Sequence, residues 1–495
     1  MMDKIQTALL SENVAEAMLH WNDATRREAS QTYEFGCTLF NMYYYDEADL
    51  VFAPLLTKEN ETHLLGYLLG VAKLWFGVGK FEISSLYSRR AFHIDYTADN
   101  AAMHASNLVR SEKKEEAERL LLDTINREPG HARSVRLLAH VERTSGRQKQ
   151  AKQRLEDCLL SYPSDEDWRL QYELGYILDR QGDYQGAMRV MLKAKSALQA
   201  TANSVTPEWR ARAERQWQTT NLLDTDRLTK WHSTKGGEDV VIMAGFPRSG
   251  TTLLENIIST HESCLGTDET GVLNTQFTEP IVFGASSAHD AVAELDDFYD
   301  DELAAGRDEY YRCTEAIIGE ARNGRTLLEK EPLMTADLAL PLRLFPQCKI
   351  IMPLRDPRDV VISFFFTIVP LTANSAGAIS IEQSCKYYAE VMRHWLLLKE
   401  RLPKARWMES RYEDLLADAE SQTKKLAKFL NIDWHQNMLE HHKQKSSKAI
   451  TTPTYSDVSK ALYTRSTERW RNYEQELKPH LHHLEPYIEK FGYAL

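Results

Sequence analysis

The sequence predicts an α plus α/β protein: an N-terminal solenoid of helical hairpins, then a three-layer α/β domain with a mostly parallel sheet. Three observations carry that prediction. Self-similarity at a fixed period runs through residues 29–198, and two strand, loop, helix segments occur in the second half. A length of 495 residues also exceeds what one ordinary core accommodates.

Composition bounds the rest. An apolar share of 43% with 10% aromatics is ample to bury two or three domains. A net charge of −12 excludes a general nucleic-acid binder, because neutralising phosphates needs Lys and Arg in excess, so no nucleic-acid partner is expected. Cys37, Cys158, Cys264, Cys313, Cys348 and Cys385 are scattered without paired spacing, so neither a zinc site nor a disulfide framework is expected. The first 30 residues lack a charged-then-apolar signal layout. The longest apolar run, "VVISFFFTIVPL", is shorter than the ~20 residues of a spanning helix. The expectation is a cytoplasmic chain with no membrane span.

The repeats come first along the chain. Pro129 and Pro163 lie 34 residues apart, as do Ala117 and Ala151. The copy "YELGYILDRQGDYQGAMRVMLKAKSAL" places Gly175, Gly182, Ala187 and Ala194 where helix crossings need small residues, and Tyr184 at a turn. Fainter copies around Gly36 and Ala48, and around Ala72, Gly79 and Ala91, precede it. The array resembles about five tetratricopeptide units over residues 29–198. Such hairpins bury their apolar faces on one another and leave a concave surface for a partner. The array either recruits an acceptor or other partner, or only scaffolds or dimerises the chain; a homo-oligomer stays open.

Residues 199–237 lose the repeat and end in Gly236 and Gly237. Trp209, Trp217, Leu222 and Leu223 offer apolar anchors, so this reads as a helical connector between the 1–198 array and a 238–495 domain.

From Asp239 the texture changes. "DVVIM" is a β-rich apolar run and "TTLLENIISTH" has helical apolar spacing, so "GFPRSGTT" sits between strand and helix. Backbone N–H groups and the helix dipole favour an anion there. A nucleotide triphosphatase would carry a lysine where Thr251 stands. Arg248 supplies the cation instead, and Thr251 and Thr252 supply hydroxyls, a set suited to one compact phosphate.

"PRSGTTLLE" resembles the 5′-phosphosulfate loop of sulfotransferases that use 3′-phosphoadenosine 5′-phosphosulfate (PAPS), over Arg248, Ser249, Gly250, Thr251 and Thr252. "KIIMPLRDPRDVVISFFF" resembles that family's 3′-phosphate element, with Arg355 and, eight residues on, Ser363. "WMESRYEDLLADAESQTKKLAKFLNI" resembles the segment whose tyrosine, here Tyr412, lies near the adenine. The C-terminal segment resembles the tails of bacterial sulfotransferases that follow tetratricopeptide arrays.

The resemblance is closest to tyrosylprotein and related sulfotransferases, and it implies roles. "GTDETGVLN" places Glu269 as general base, with Asp268 as the alternative. "LLEKEPL" places Lys330 at the transferring group, where Lys330 and Arg248 would stabilise developing charge. PAPS is the implied donor, and no metal is required. The acceptor hydroxyl belongs to a protein tyrosine, a glycan or a small molecule. One departure stands out: Thr367 occupies the place of a further family arginine, four residues after Ser363, so Ser466 or Arg469 in the tail would complete the 3′-phosphate grip.

Two other functions compete: a phosphate-loop kinase acting on a small molecule, and a non-catalytic tetratricopeptide binding protein. The absent loop lysine weighs against the first, and the full set of residue types in register against the second. The His480, His482 and His483 cluster fits no standard metal spacing. The lysine-bearing stretch 441–452 is a solvated loop or a lure for an anionic cofactor.

Overall fold

The computed structural model of the chain describes residues 2–11, 13–23, 27–59, 63–367, 375–440 and 467–495. Ser466 and the lysine-bearing stretch 441–452 lie outside the described residues. By its contacts the chain divides into two compact units, Met1–Val141 and Glu142–Leu495. The boundary expected near residue 198 therefore falls inside the second unit.

Among the described residues, the first unit consists of helices joined by short turns, including Ala29–Asn41, Tyr45–Phe52, Leu64–Gly77, Phe81–Ile94, Ala98–Arg110 and Lys114–Arg127. The small residues of the repeat explain how these approach one another. Ala48, Ala72, Ala91 and Ala117 are fully buried. A Cβ added to Gly36 would lie 2.3 Å from the Phe52 ring, so only glycine lets these two helices touch.

The second unit continues the pattern through helices Gln148–Ser161, Asp167–Gln181 and Tyr184–Ala197. Gly182 caps one of these in the left-handed region (φ +84), which L residues with side chains avoid. The connector is helical over Gln199–Asn221, and two of its expected anchors are met by aromatic edges. Trp209 packs at 5.5 Å on Tyr387, and Trp217 at 5.2 Å on His394. Leu223 is fully buried.

The sheet follows. Strands β1 (Val240–Met243), β2 (Cys264–Gly266), β3 (Thr326–Lys330), β4 (Lys349–Leu354) and β5 (Trp407–Arg411) form one five-stranded sheet in the order β2-β3-β1-β4-β5. Every pairing is parallel. β1 is buried at each position, as the continuous run "VVIM" requires of a central parallel strand. The two strands expected to precede phosphate loops are adjacent in this sheet, with Val241 opposite Lys349 and Met243 opposite Ile351.

Register decides what meets at the carboxyl edge. Met243 pairs with Lys330, Gly266 with Leu328, and Leu354 with Arg411. The segments starting at Ala244, Thr267, Glu331, Arg355 and Tyr412 therefore leave the sheet on the same side. Chain order reverses at β1, the place where open α/β sheets open a crevice. No helix among the described residues is long and apolar enough to cross a membrane.

Candidate functional site

The loop after β1 turns on two special backbone positions. Gly245 has φ +144 and Gly250 φ +90. Thr335 Oγ1 clamps the first turn, accepting from Gly245 N–H at 2.7 Å and donating to the Gly245 carbonyl at 2.6 Å. Gly250 is the N-cap of helix Thr251–Ile258, and a Cβ there would lie 2.8 Å from Tyr412 Cδ2. Glycine is required twice over, by backbone angle and by the ring.

Arg248 also adopts a positive φ, 75°, unusual for a residue with a side chain. The turn sends its guanidinium across to the second phosphate-type element, where Nε donates to Ser363 Oγ at 3.0 Å. Arg355 Nη1 returns a bond to the Arg248 carbonyl at 3.1 Å. Its guanidinium also lies over the Tyr412 ring, 5.3 Å from the centroid. Arg248, Ser249, Gly250, Arg355, Ser363 and Tyr412 thus form one cluster at the edge of β1, β4 and β5. Ser249, Arg355 and Ser363 are buried.

A second cluster lies beside the first, at the ends of β2 and β3. Lys330 is fully buried and its ammonium meets three carboxylates: Asp268 at 2.5 Å, Glu255 at 3.1 Å and Glu269 at 3.5 Å. It also reaches Thr252 Oγ1 at 3.4 Å, which ties it to the phosphate-type loop. Burial alone would lower the Lys330 pKa, but the three carboxylates together hold it well above the ordinary lysine value.

The two candidate bases differ in setting. Asp268 forms the short ion pair, and its N–H donates to Glu255 Oε1 at 2.7 Å. The Glu269 side chain is 33% exposed against 18% for Asp268, and it stands farther from Lys330. Burial raises the Glu269 pKa, Lys330 opposes the shift, and Asp268 and Glu255 add to it. Beyond them, burial and the nearby Glu269 and Glu329 push Glu331 up to about 8.

Thr367 Oγ1 merely donates to the Ser363 carbonyl at 2.8 Å, closing its helix. Arg469 is not aimed at the phosphate elements. Its Nε and Nη2 pair with Asp179 Oδ1 at 3.1 and 3.0 Å, and its guanidinium lies 4.9 Å from the centroid of Phe366. The tail arginine considered for the 3′-phosphate grip is therefore committed to the helical hairpin.

Sequence reasoning missed Glu255 and Glu331. Glu255 sits among apolar residues in "TTLLENII", and an ionisable group on an otherwise buried helix face was the available signal. Glu331 directly follows Lys330, and nothing in one sequence separates it from an ordinary strand-end acid.

Residues 240–436 match the model of the Sulfotransferase family. An uncharacterized protein of Aquifex aeolicus is 26% identical over 342 residues, covering 65% of this chain and 43% of that protein. A putative protein-tyrosine sulfotransferase of Caenorhabditis briggsae is 24% identical over 262 residues, covering 52% of this chain and 89% of the relative. Among solved structures, the sulfotransferase domain from the olefin synthase of Synechococcus PCC 7002 aligns with a TM-score of 0.33 and 19% identity, over 52% of this chain and 94% of that domain. The chain thus spans less than half the length of the Aquifex relative.

Proposed function

The domain over residues 240–436 belongs to the sulfotransferase family, and on that premise we propose that the chain moves a sulfuryl group from PAPS to an acceptor hydroxyl. The observation that carries this reading is Lys330, which touches both Thr252 of the phosphate-type loop and the Glu269 carboxylate. One cation spans the place where a donor phosphate ends and the place where an acceptor proton must go.

The donor set fits PAPS. The N–H groups at the start of helix Thr251–Ile258, with Arg248, suit the 5′-phosphosulfate. Arg355 and Ser363 suit the 3′-phosphate, and Tyr412, close to Gly250 and beneath Arg355, is the aromatic residue read as lying near the adenine. When bound, PAPS supplies an electrophilic sulfur. Glu269 accepts the acceptor's proton as the acceptor oxygen bonds to sulfur and the bond from sulfur to the phosphate oxygen breaks. Lys330 and Arg248 face the negative charge left on that phosphate. Glu269 is the better base because Asp268 is engaged in the short Lys330 ion pair.

The acceptor we propose is a protein tyrosine, by analogy with the nematode relative. The helical array is read as tetratricopeptide-like and as recruiting that acceptor. Incubating the protein with radiolabelled PAPS and tyrosyl peptides, glycans or phenols tests the reading. Label is expected on the peptides and lost in Glu269→Gln; label on glycans or phenols alone would move the acceptor class. Label on none of the three would overturn the activity.

A further inference from the structure

One buried carboxylate of the 3′-phosphate element receives two backbone N–H groups of the C-terminal tail. Asp359, in the first turn of helix Pro357–Phe365, has a side chain 1% exposed. Its Oδ2 accepts from Glu468 N–H at 2.8 Å and its Oδ1 from Trp470 N–H at 2.8 Å. The same Oδ2 stands 3.9 Å from Arg355 Nη2. Glu468 has a φ of 55°, a left-handed conformation that a non-glycine residue holds only when its surroundings fix it.

The tail is held from a second direction. Asp179, on helix Asp167–Gln181, accepts from Tyr473 OH at 2.6 Å as well as from Arg469. Tyr473 in turn packs on Phe366 at 5.0 Å, at the end of the Ser363 helix, and on Tyr184 at 5.7 Å. Alongside, Arg358 stacks 4.1 Å from the centroid of Trp470 and donates to the Ala494 carbonyl at 2.6 Å. A charged carboxylate costs free energy to bury unless it is fully hydrogen-bonded, so Asp359 is placed where its partners must be in register.

We propose that Asp359 is a positioning residue that aligns Arg355 with the tail segment 468–473, and that Asp179 of the helical hairpin anchors that segment from the opposite side. The inference rests on the reading of Arg355 as the 3′-phosphate ligand. It gives the hairpin a part in cofactor recognition, through a tail that carries its effect to Arg355 without touching the nucleotide at Asp179.

The test compares 3′,5′-adenosine bisphosphate with adenosine 5′-phosphate, which lacks the 3′-phosphate, by calorimetric titration of wild type, Asp359→Asn and Asp179→Asn. In Asp359→Asn the bisphosphate affinity is expected to fall about tenfold while the monophosphate affinity stays within about threefold. A merely structural role would weaken both ligands together. An unchanged ratio of the two affinities in folded Asp359→Asn overturns the inference. If Asp359→Asn does not fold, Asp179→Asn decides: a ratio lowered by about threefold or more supports it, and an unchanged ratio overturns it. A wild type that does not distinguish the two ligands overturns the PAPS reading itself, and the inference with it.

Discussion

Arg248 Nε donates to Ser363 Oγ at 3.0 Å, joining the loop after β1 to the helix Pro357–Phe365 after β4, 115 positions apart in the chain. The two segments follow adjacent parallel strands, so the bond crosses the carboxyl edge of the sheet where β1 and β4 pair. A cation from the first element and a hydroxyl from the second share one end of the crevice.

That sharing predicts a ranking of affinities for 3′,5′-adenosine bisphosphate. Arg355→Ala removes a charge-assisted partner and is expected to cost about 1.5–3 kcal/mol. Ser363→Ala removes a neutral hydroxyl and is expected to cost about 0.5–1.5 kcal/mol. Titration calorimetry reads both; a Ser363 effect larger than that of Arg355 would reverse the assignment of charge at the 3′-phosphate.

Gly250→Ala tests the loop. Its φ of +90° strains any side chain, and the new Cβ would meet Tyr412 at 2.8 Å. The variant is expected to lose about 1–3 kcal/mol of stability in denaturant unfolding, together with bisphosphate affinity. Wild-type stability and binding in this variant would mean that the loop relaxes freely.

A Lys330 variant tests whether binding and chemistry separate. Lys330→Ala is expected to lower kcat by about 10²–10³-fold, as loss of an electrostatic stabiliser does, with product affinity changed far less. An equal loss in both would make Lys330 a binding residue.

The raised pKa of Glu269, as the proposed base, predicts a pH dependence. The base works only when ionised, so activity should fall as pH drops through a value above the ordinary glutamate pKa of about 4.3. Glu269→Gln should remove about 10²–10⁴-fold of the rate and this acid limb with it. A limb at or below the ordinary value, or one that survives in Glu269→Gln, contradicts the assignment.

The sequence made the phosphate-type loops legible because their chemistry is local. Gly245, Arg248, Gly250 and Arg355 stand at fixed spacings between an apolar run and a helix, Ser363 stands within the second helix, and the structure brings them together at one sheet edge. The helical array was legible for a similar reason, since Gly36 and Ala48 mark crossings that tolerate no larger side chain. β2 was not, because the three residues Cys264–Gly266 are too short to show alternation. The π-helix Leu273–Phe283 was not, because its period has no distinct apolar signature. The Arg469 to Asp179 pair spans 290 positions, and only the folded chain makes them neighbours. Arg469 looked like a spare cation for the same reason.

The most direct measurement of the central claim is competitive titration of the whole chain with 3′,5′-adenosine bisphosphate and with ATP–Mg²⁺. A loop with Thr251 in place of the triphosphatase lysine, facing Arg355 and Ser363, predicts that the bisphosphate binds at least about tenfold more tightly. Tighter binding of ATP–Mg²⁺ would contradict the account and return the site to nucleotide phosphoryl transfer.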